Sequence, residues 1–332
     1  MLFLSTLQQV AILLIFILIG YYFKKKGLIN DGAKKTMSAL LVNLFAPAYG
    51  LVSLSQQLSF DKIAQYGIYF LSCIALTVVL VIVARILAKT LSKDTLHQNI
   101  LKYAFAFGNI GYFGYPVVGA VFGEGMKALM ILFCIPMSIG INTYGYTVLT
   151  AKVEQNQSVD GVLAKRKVSE NFRFLWSVPF IGTMAGLIIG LLPITLPSFI
   201  IDLLSLAGNC QSATAMLLTG AVLANIPFVK LFTSFKSYLI GVIKLLILPL
   251  AVGAVLYLIN VIGLTGETFK TVFMLCVIVA AMPVGMNVVV YPESAGMDST
   301  EGAKMCFLSY VMALGALPLV FTLMELVANT IA

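Results

Sequence analysis

The chain has 332 residues, 60% of them hydrophobic and only 10% charged, with a formal net charge of +8. A mean hydropathy of +1.02 excludes an ordinary soluble domain and marks a polytopic membrane protein. The surplus Lys and Arg are spread between apolar runs and form no patch, which argues against a nucleic-acid partner.

Apolar runs of roughly 20 residues predict ten spans, near residues 4–23, 35–55, 63–88, 98–121, 126–150, 173–192, 198–223, 237–260, 268–290 and 303–327. The first has Lys24, Lys25 and Lys26 behind it and no cation ahead of it. That is the reverse of a secretory signal, so the segment reads as a retained span. Of the 21 Lys and Arg, all but Lys62, Lys127 and Lys270 flank the first, third, fifth, seventh and ninth connections. Cytoplasmic loops carry the Lys/Arg excess, so both termini are expected outside a plasma membrane.

The polar stretch 152–172 divides the chain into a five-span repeat, 1–151, and a second five-span repeat, 173–332. An odd number of spans forces the second to enter the membrane inverted. Two echoes at nearly one offset support the division. Tyr115-Pro116 returns as Tyr291-Pro292, and Glu124-Gly125-Met126-Lys127 returns as Glu301-Gly302-Ala303-Lys304. The expected fold is therefore an all-α polytopic membrane protein of ten transmembrane helices in a 5+5 inverted repeat. The five cysteines fall inside spans without metal-like spacing and are expected to be small apolar residues.

The fourth and ninth spans are interrupted near their middles, by Gly108-Asn109-Ile110-Gly111-Tyr112-Phe113-Gly114-Tyr115-Pro116 and by Met282-Pro283-Val284-Gly285-Met286-Asn287. A helix broken in lipid strands backbone N–H and C=O groups at several kcal/mol each, so it survives only buried in protein or lining a cavity. Breaks at corresponding places in two halves point to the site of a secondary transporter. Where two such helices cross, the N-termini of their second halves offer N–H groups and about half a positive charge each, which favours an anion. The predicted substrate site comprises Asn109, Gly111, Tyr112, Gly114, Pro116, Pro283, Gly285, Asn287 and Asn43. The carboxamides of Asn109 and Asn287 would donate to a carboxylate, the glycines let it approach the backbone, and the prolines hold the breaks open. Asn43 with Pro47, and the cluster Asn209, Gln211, Ser212 and Thr214, either form the opposing wall or join helices to one another.

Asp202, Lys102, Lys244 and Glu325 fall toward span ends, where snorkelling is expected. No formal charge is therefore expected at the midplane, and neither a carboxylate proton relay nor an arginine clamp. No cofactor is expected, and Na+ held by backbone carbonyls is the coupling ion for which the pattern leaves room.

At both interruptions the sequence resembles the auxin efflux carrier family, whose members include plant auxin carriers and bacterial malate or malonate permeases. The resembling residues are the two stretches above, followed by Phe122-Gly123-Glu124 and by Gly296-Met297-Asp298. The resemblance implies a fold similar to bile-acid/sodium symporters, with crossing fourth and ninth helices. Spans one, two, six and seven would form a scaffold, and the rest a core that moves as an elevator. The plant carriers place a proline between two asparagines in the fourth span. Here Asn109 has no adjacent proline, which points away from an auxin-type substrate. The expected function is transport of a small organic anion, a carboxylate, by a monomer or homodimer in the lipid bilayer. The alternative is a carrier-fold sensor that binds a ligand without net transport.

Overall fold

A computed structural model describes residues 2–150, 176 and 178–331, except 59, 193, 233–234, 262–266, 295–296 and 298. The predicted connection at 152–172, with its cations, and Gly296 and Asp298 lie outside the described residues. The described elements are helical, joined by one isolated antiparallel bridge.

In chain order they are α1 (Leu2–Lys25), α2 (Asp31–Gln57), α3 (Ile63–Leu91), α4 (Thr95–Ala106), α5 (Ile110–Phe122), α6 (Glu124–Phe133) and α7 (Ile135–Thr150). The second half continues with α8 (Val178–Leu191), α9 (Ser198–Leu223), α10 (Phe235–Asn260), α11 (Glu267–Ala281), α12 (Asn287–Ser294) and α13 (Thr300–Ala328). Among the described residues α1, α2, α3, α10 and α13 are long and apolar enough to cross a membrane. The pair α6 and α7, bent by 47° at their junction, adds a sixth candidate. The protein is thus a multi-pass membrane protein. The predicted fourth and ninth spans are each divided, into α4 with α5 and α11 with α12, and α8 is short.

Proline placement explains much of the local irregularity. Of the four wide π-type turns among the described residues, Leu41–Phe45, Ile110–Gly114 and Ile243–Ile247 are each followed by a proline two residues on, Pro47, Pro116 and Pro249, while Ile141–Gly145 is not. Proline has no N–H to give and its ring collides with the carbonyl four residues back, so the preceding turn widens. Pro116 thereby leaves the Tyr112 carbonyl without its usual helical donor, and the Ser212 hydroxyl of α9 approaches it at 3.4 Å.

One group of helices packs through missing side chains. Gly182, Gly186 and Gly190 form a stripe on α8 against Pro47, Leu51 and Leu54 of α2, where a Cβ on Gly186 would lie 2.6 Å from the Leu51 Cα. Gly20 of α1 and Gly220 of α9 likewise meet each other's helix backbone. Between membrane helices there is little hydrophobic drive, so such close backbone contact supplies the association. Helices α1, α2, α8 and α9 form this group.

Two expectations are corrected by packing. Lys244 does not snorkel: it is fully buried within α10. Cys73, Cys134, Cys276 and Cys306 are buried as expected, whereas Cys210 is exposed.

Candidate functional site

Helix α4 stops at Ala106 and α5 starts at Ile110, while α11 stops at Ala281 and α12 starts at Asn287. The two extended segments between them meet. Gly108 and Val284 form the antiparallel bridge, and the Asn109 N–H donates to the Pro283 carbonyl at 2.7 Å. Backbone groups that lipid could not satisfy are thus satisfied by the other break. The approach needs glycine at 108, since a Cβ there would lie 2.6 Å from the Met282 Cβ and 2.9 Å from its carbonyl oxygen.

Helix α13 secures the crossing. Its Ser309 hydroxyl accepts from the Val284 N–H at 3.0 Å and donates to the Cys306 carbonyl at 2.7 Å. Its Tyr310 hydroxyl accepts from Asn109 Nδ2 at 2.6 Å, and the Tyr310 ring stacks on Phe113 with centroids 5.3 Å apart. The Asn109 Oδ1 accepts from the Tyr112 N–H at 3.2 Å, so the side chain caps α5 as well as joining it to α13. At the other break Asn287 Nδ2 donates to the Tyr103 hydroxyl at 2.9 Å. Among the described residues each asparagine thus uses one of its two amide N–H groups to hold a tyrosine.

A cavity of about 400 Å³ opens at this crossing. From the breaks it is lined by Gly108, Asn109, Gly111, Tyr112, Gly285 and Asn287, and from the facing helices by Tyr49 of α2, Thr183 of α8 and Gln211 of α9. Its polar lining consists of hydroxyl and carboxamide groups, with no acid or base among the lining residues. Tyr291 donates to Asn142 Oδ1 at 3.1 Å, and both line the cavity from α12 and α7.

Of the predicted site residues, Asn109, Gly111, Tyr112, Gly285 and Asn287 line this cavity together. Gly114, Pro116, Pro283 and Asn43 do not. The Gly114 N–H donates to the Asn109 carbonyl, and the Cα packs where a side chain would strike Met282 Sδ. Pro283 serves through its carbonyl at the bridge. Asn43 is exposed and donates to the Ala39 carbonyl at 2.9 Å. The face of α2 that lines the cavity is Val42, Ala46, Tyr49 and Gly50, one position round the helix from Asn43.

Three contributors were absent from the predicted set. Tyr103 and Tyr310 could be suspected because a buried phenol needs a partner for its hydroxyl. Gln211 belongs in the sequence to the polar cluster of the seventh span. It is 5% exposed, lines the cavity, and its Oε1 has no hydrogen-bond partner among the described residues. A buried, unpaired amide oxygen costs about 1–3 kcal/mol, a cost that a donor on a ligand would remove.

The sequence family described as membrane transport protein matches residues 5–321. An uncharacterized transporter of Methanothermobacter thermautotrophicus is 23% identical over 321 residues, covering 96% of this chain and 98% of its own. A second uncharacterized transporter, from Methanocaldococcus jannaschii, is 27% identical over 132 residues, 39% of this chain and 42% of its own. The match across nearly the whole chain supplies what the cavity alone does not, a functional class: the chain belongs to the membrane transport protein family, the auxin efflux carrier family, and is a membrane transporter, not an enzyme.

Proposed function

We propose that the protein is a secondary transporter that carries a small organic anion, a carboxylate, across the plasma membrane. The observation that carries this reading is the cavity shared by the two bridged breaks. Its volume suits a small metabolite, and its donors are amides, tyrosine hydroxyls and helix N-termini, with no acidic side chain to repel an anion. In the same reading α4 with α5 forms the fourth span and α11 with α12 the ninth. The ten spans then make two inverted repeats, with both termini outside. The ion pairs Glu124–Lys127, opening α6, and Glu301–Lys304, opening α13, support the repeat because each is an i, i+3 pair at the same place in its half. The glycine-packed group α1, α2, α8 and α9 would be the scaffold. The cavity lies between it and the remaining helices, as an elevator movement of the core requires.

The test is uptake of radiolabelled mono- and dicarboxylates into sealed proteoliposomes, with the Gln211→Leu variant beside the wild type. Saturable uptake of a carboxylate by the wild type is expected. In Gln211→Leu the orphaned amide oxygen is gone, so the protein is expected to melt higher, by about 1 kcal/mol of stability or more. Uptake of a carboxylate that carries a hydroxyl, whose O–H could donate to that oxygen, is expected to fall at least tenfold. Carboxylate-induced stabilisation with no flux in sealed vesicles would instead identify a ligand-binding sensor.

A further inference from the structure

Lys244 lies in the π-type turn Ile243–Ile247 of α10 and is fully buried, its Nζ donating to the Phe105 carbonyl at 3.2 Å. No carboxylate is paired with it among the described residues. Taking an ammonium out of water is strongly unfavourable unless something compensates it. What compensates it here is the end of a half-helix. The last carbonyls of α4 lack partners within the helix. The Phe107 N–H takes that of Tyr103, and Lys244 takes that of Phe105. The same end carries about half a negative charge. Two residues beyond the α4 terminus the chain reaches Gly108 and the bridge to the other break. The C-terminal ends of interrupted helices are where carriers of this general design hold a coupling cation.

We propose that the Lys244 ammonium is a resident cation, filling at the end of α4 the place that Na+ would take, so that the protein needs no metal cation there. The proposal deepens the transporter reading and rests on it for its meaning in transport. Its test uses alkali cations alone and no substrate, so the two can fail separately. A π-type turn built around Pro249 aims the lysine at this carbonyl, and such turns recur where function requires a side chain to leave the regular helical register.

The experiment measures thermal unfolding of the purified full-length protein in NaCl, KCl, LiCl and choline chloride at matched ionic strength. Wild type, Lys244→Ala, Lys244→Met and Lys244→Arg are compared. The wild type is expected to melt at one temperature in all four salts, and Lys244→Arg to behave likewise. Lys244→Ala, which leaves space and bare carbonyls, is expected to melt lower and to recover most of the loss with saturating Na+. Lys244→Met, which fills the space with an uncharged stem, is expected to melt lower without recovery. A saturable, Na+-specific stabilisation of the wild type would overturn the proposal. So would a Lys244→Met protein as stable as the wild type, or a Lys244→Ala protein that no alkali cation restores.

Discussion

Gly108→Ala is expected to separate the two breaks and abolish transport. The added methyl would sit 2.6 Å from the Met282 Cβ and 2.9 Å from the Met282 carbonyl, and main chain cannot swing aside as a flexible side chain can. Forcing a methyl into such a contact costs about 3 kcal/mol. Relieving it means breaking the Gly108–Val284 bridge and the 2.7 Å bond from the Asn109 N–H to the Pro283 carbonyl. Those groups would then have no substitute partner at membrane depth. A lower melting temperature and at least a tenfold loss of uptake are expected together. Gly67→Ala is the control, because a Cβ there meets nothing within 4 Å and the residue is not among those that line the cavity. Unfolding curves in detergent and uptake in proteoliposomes separate the two variants. Equal melting of Gly108→Ala and wild type would show that the crossing is not held by backbone approach.

Asn287→Asp is expected to leave the crossing intact and remove anion binding. The Tyr103 hydroxyl, which accepts from the Asn287 amide at 2.9 Å, can donate to a carboxylate in the same place, so the geometry survives the exchange. The electrostatics do not. Two like charges about 5 Å apart at an effective dielectric of about 20 repel by about 3 kcal/mol, which weakens binding by more than about a hundredfold. Asn287→Ala, which keeps the cavity neutral but loses the amide, is expected to bind about tenfold more weakly than wild type, a loss of about 1.4 kcal/mol. Titration of the best-binding carboxylate against the three proteins measures the order. A ranking in which Asp binds as well as Asn would exclude an anion from this position.

The sequence made the breaks legible because their signal is local. Asn, Gly and Pro crowd into the middle of an apolar run, and only a cavity tolerates that in lipid. The two asparagines were legible for the same reason, but their partners were not. Tyr310 is 201 residues from Asn109 and Tyr103 is 184 from Asn287, and nothing in spacing connects such pairs. Asn43 shows the opposite failure. It shares a helical face with Pro47, but α2 turns the neighbouring face to the cavity, and Pro47 packs against Gly182. Counting apolar residues puts Lys244 near a span end. Its burial depends on the carbonyl of Phe105, 139 residues earlier, which a hydropathy window cannot see. The glycine stripe on α8 was present in the sequence at four-residue spacing. Its reading needed α2 beside it.

A transported carboxylate is expected to occupy the cavity between the two bridged breaks. The most direct test is protection of a cysteine placed there, Gly111→Cys, against a membrane-impermeant maleimide in sealed vesicles. The exposed Cys210 is first changed by Cys210→Ser, and the open space at residue 111 admits the new side chain. The predicted result is that the carboxylate giving saturable uptake slows labelling at least several-fold, with half-protection near its transport KM. Labelling that proceeds at one rate with and without that transported carboxylate would mean that the carboxylate does not bind in this cavity.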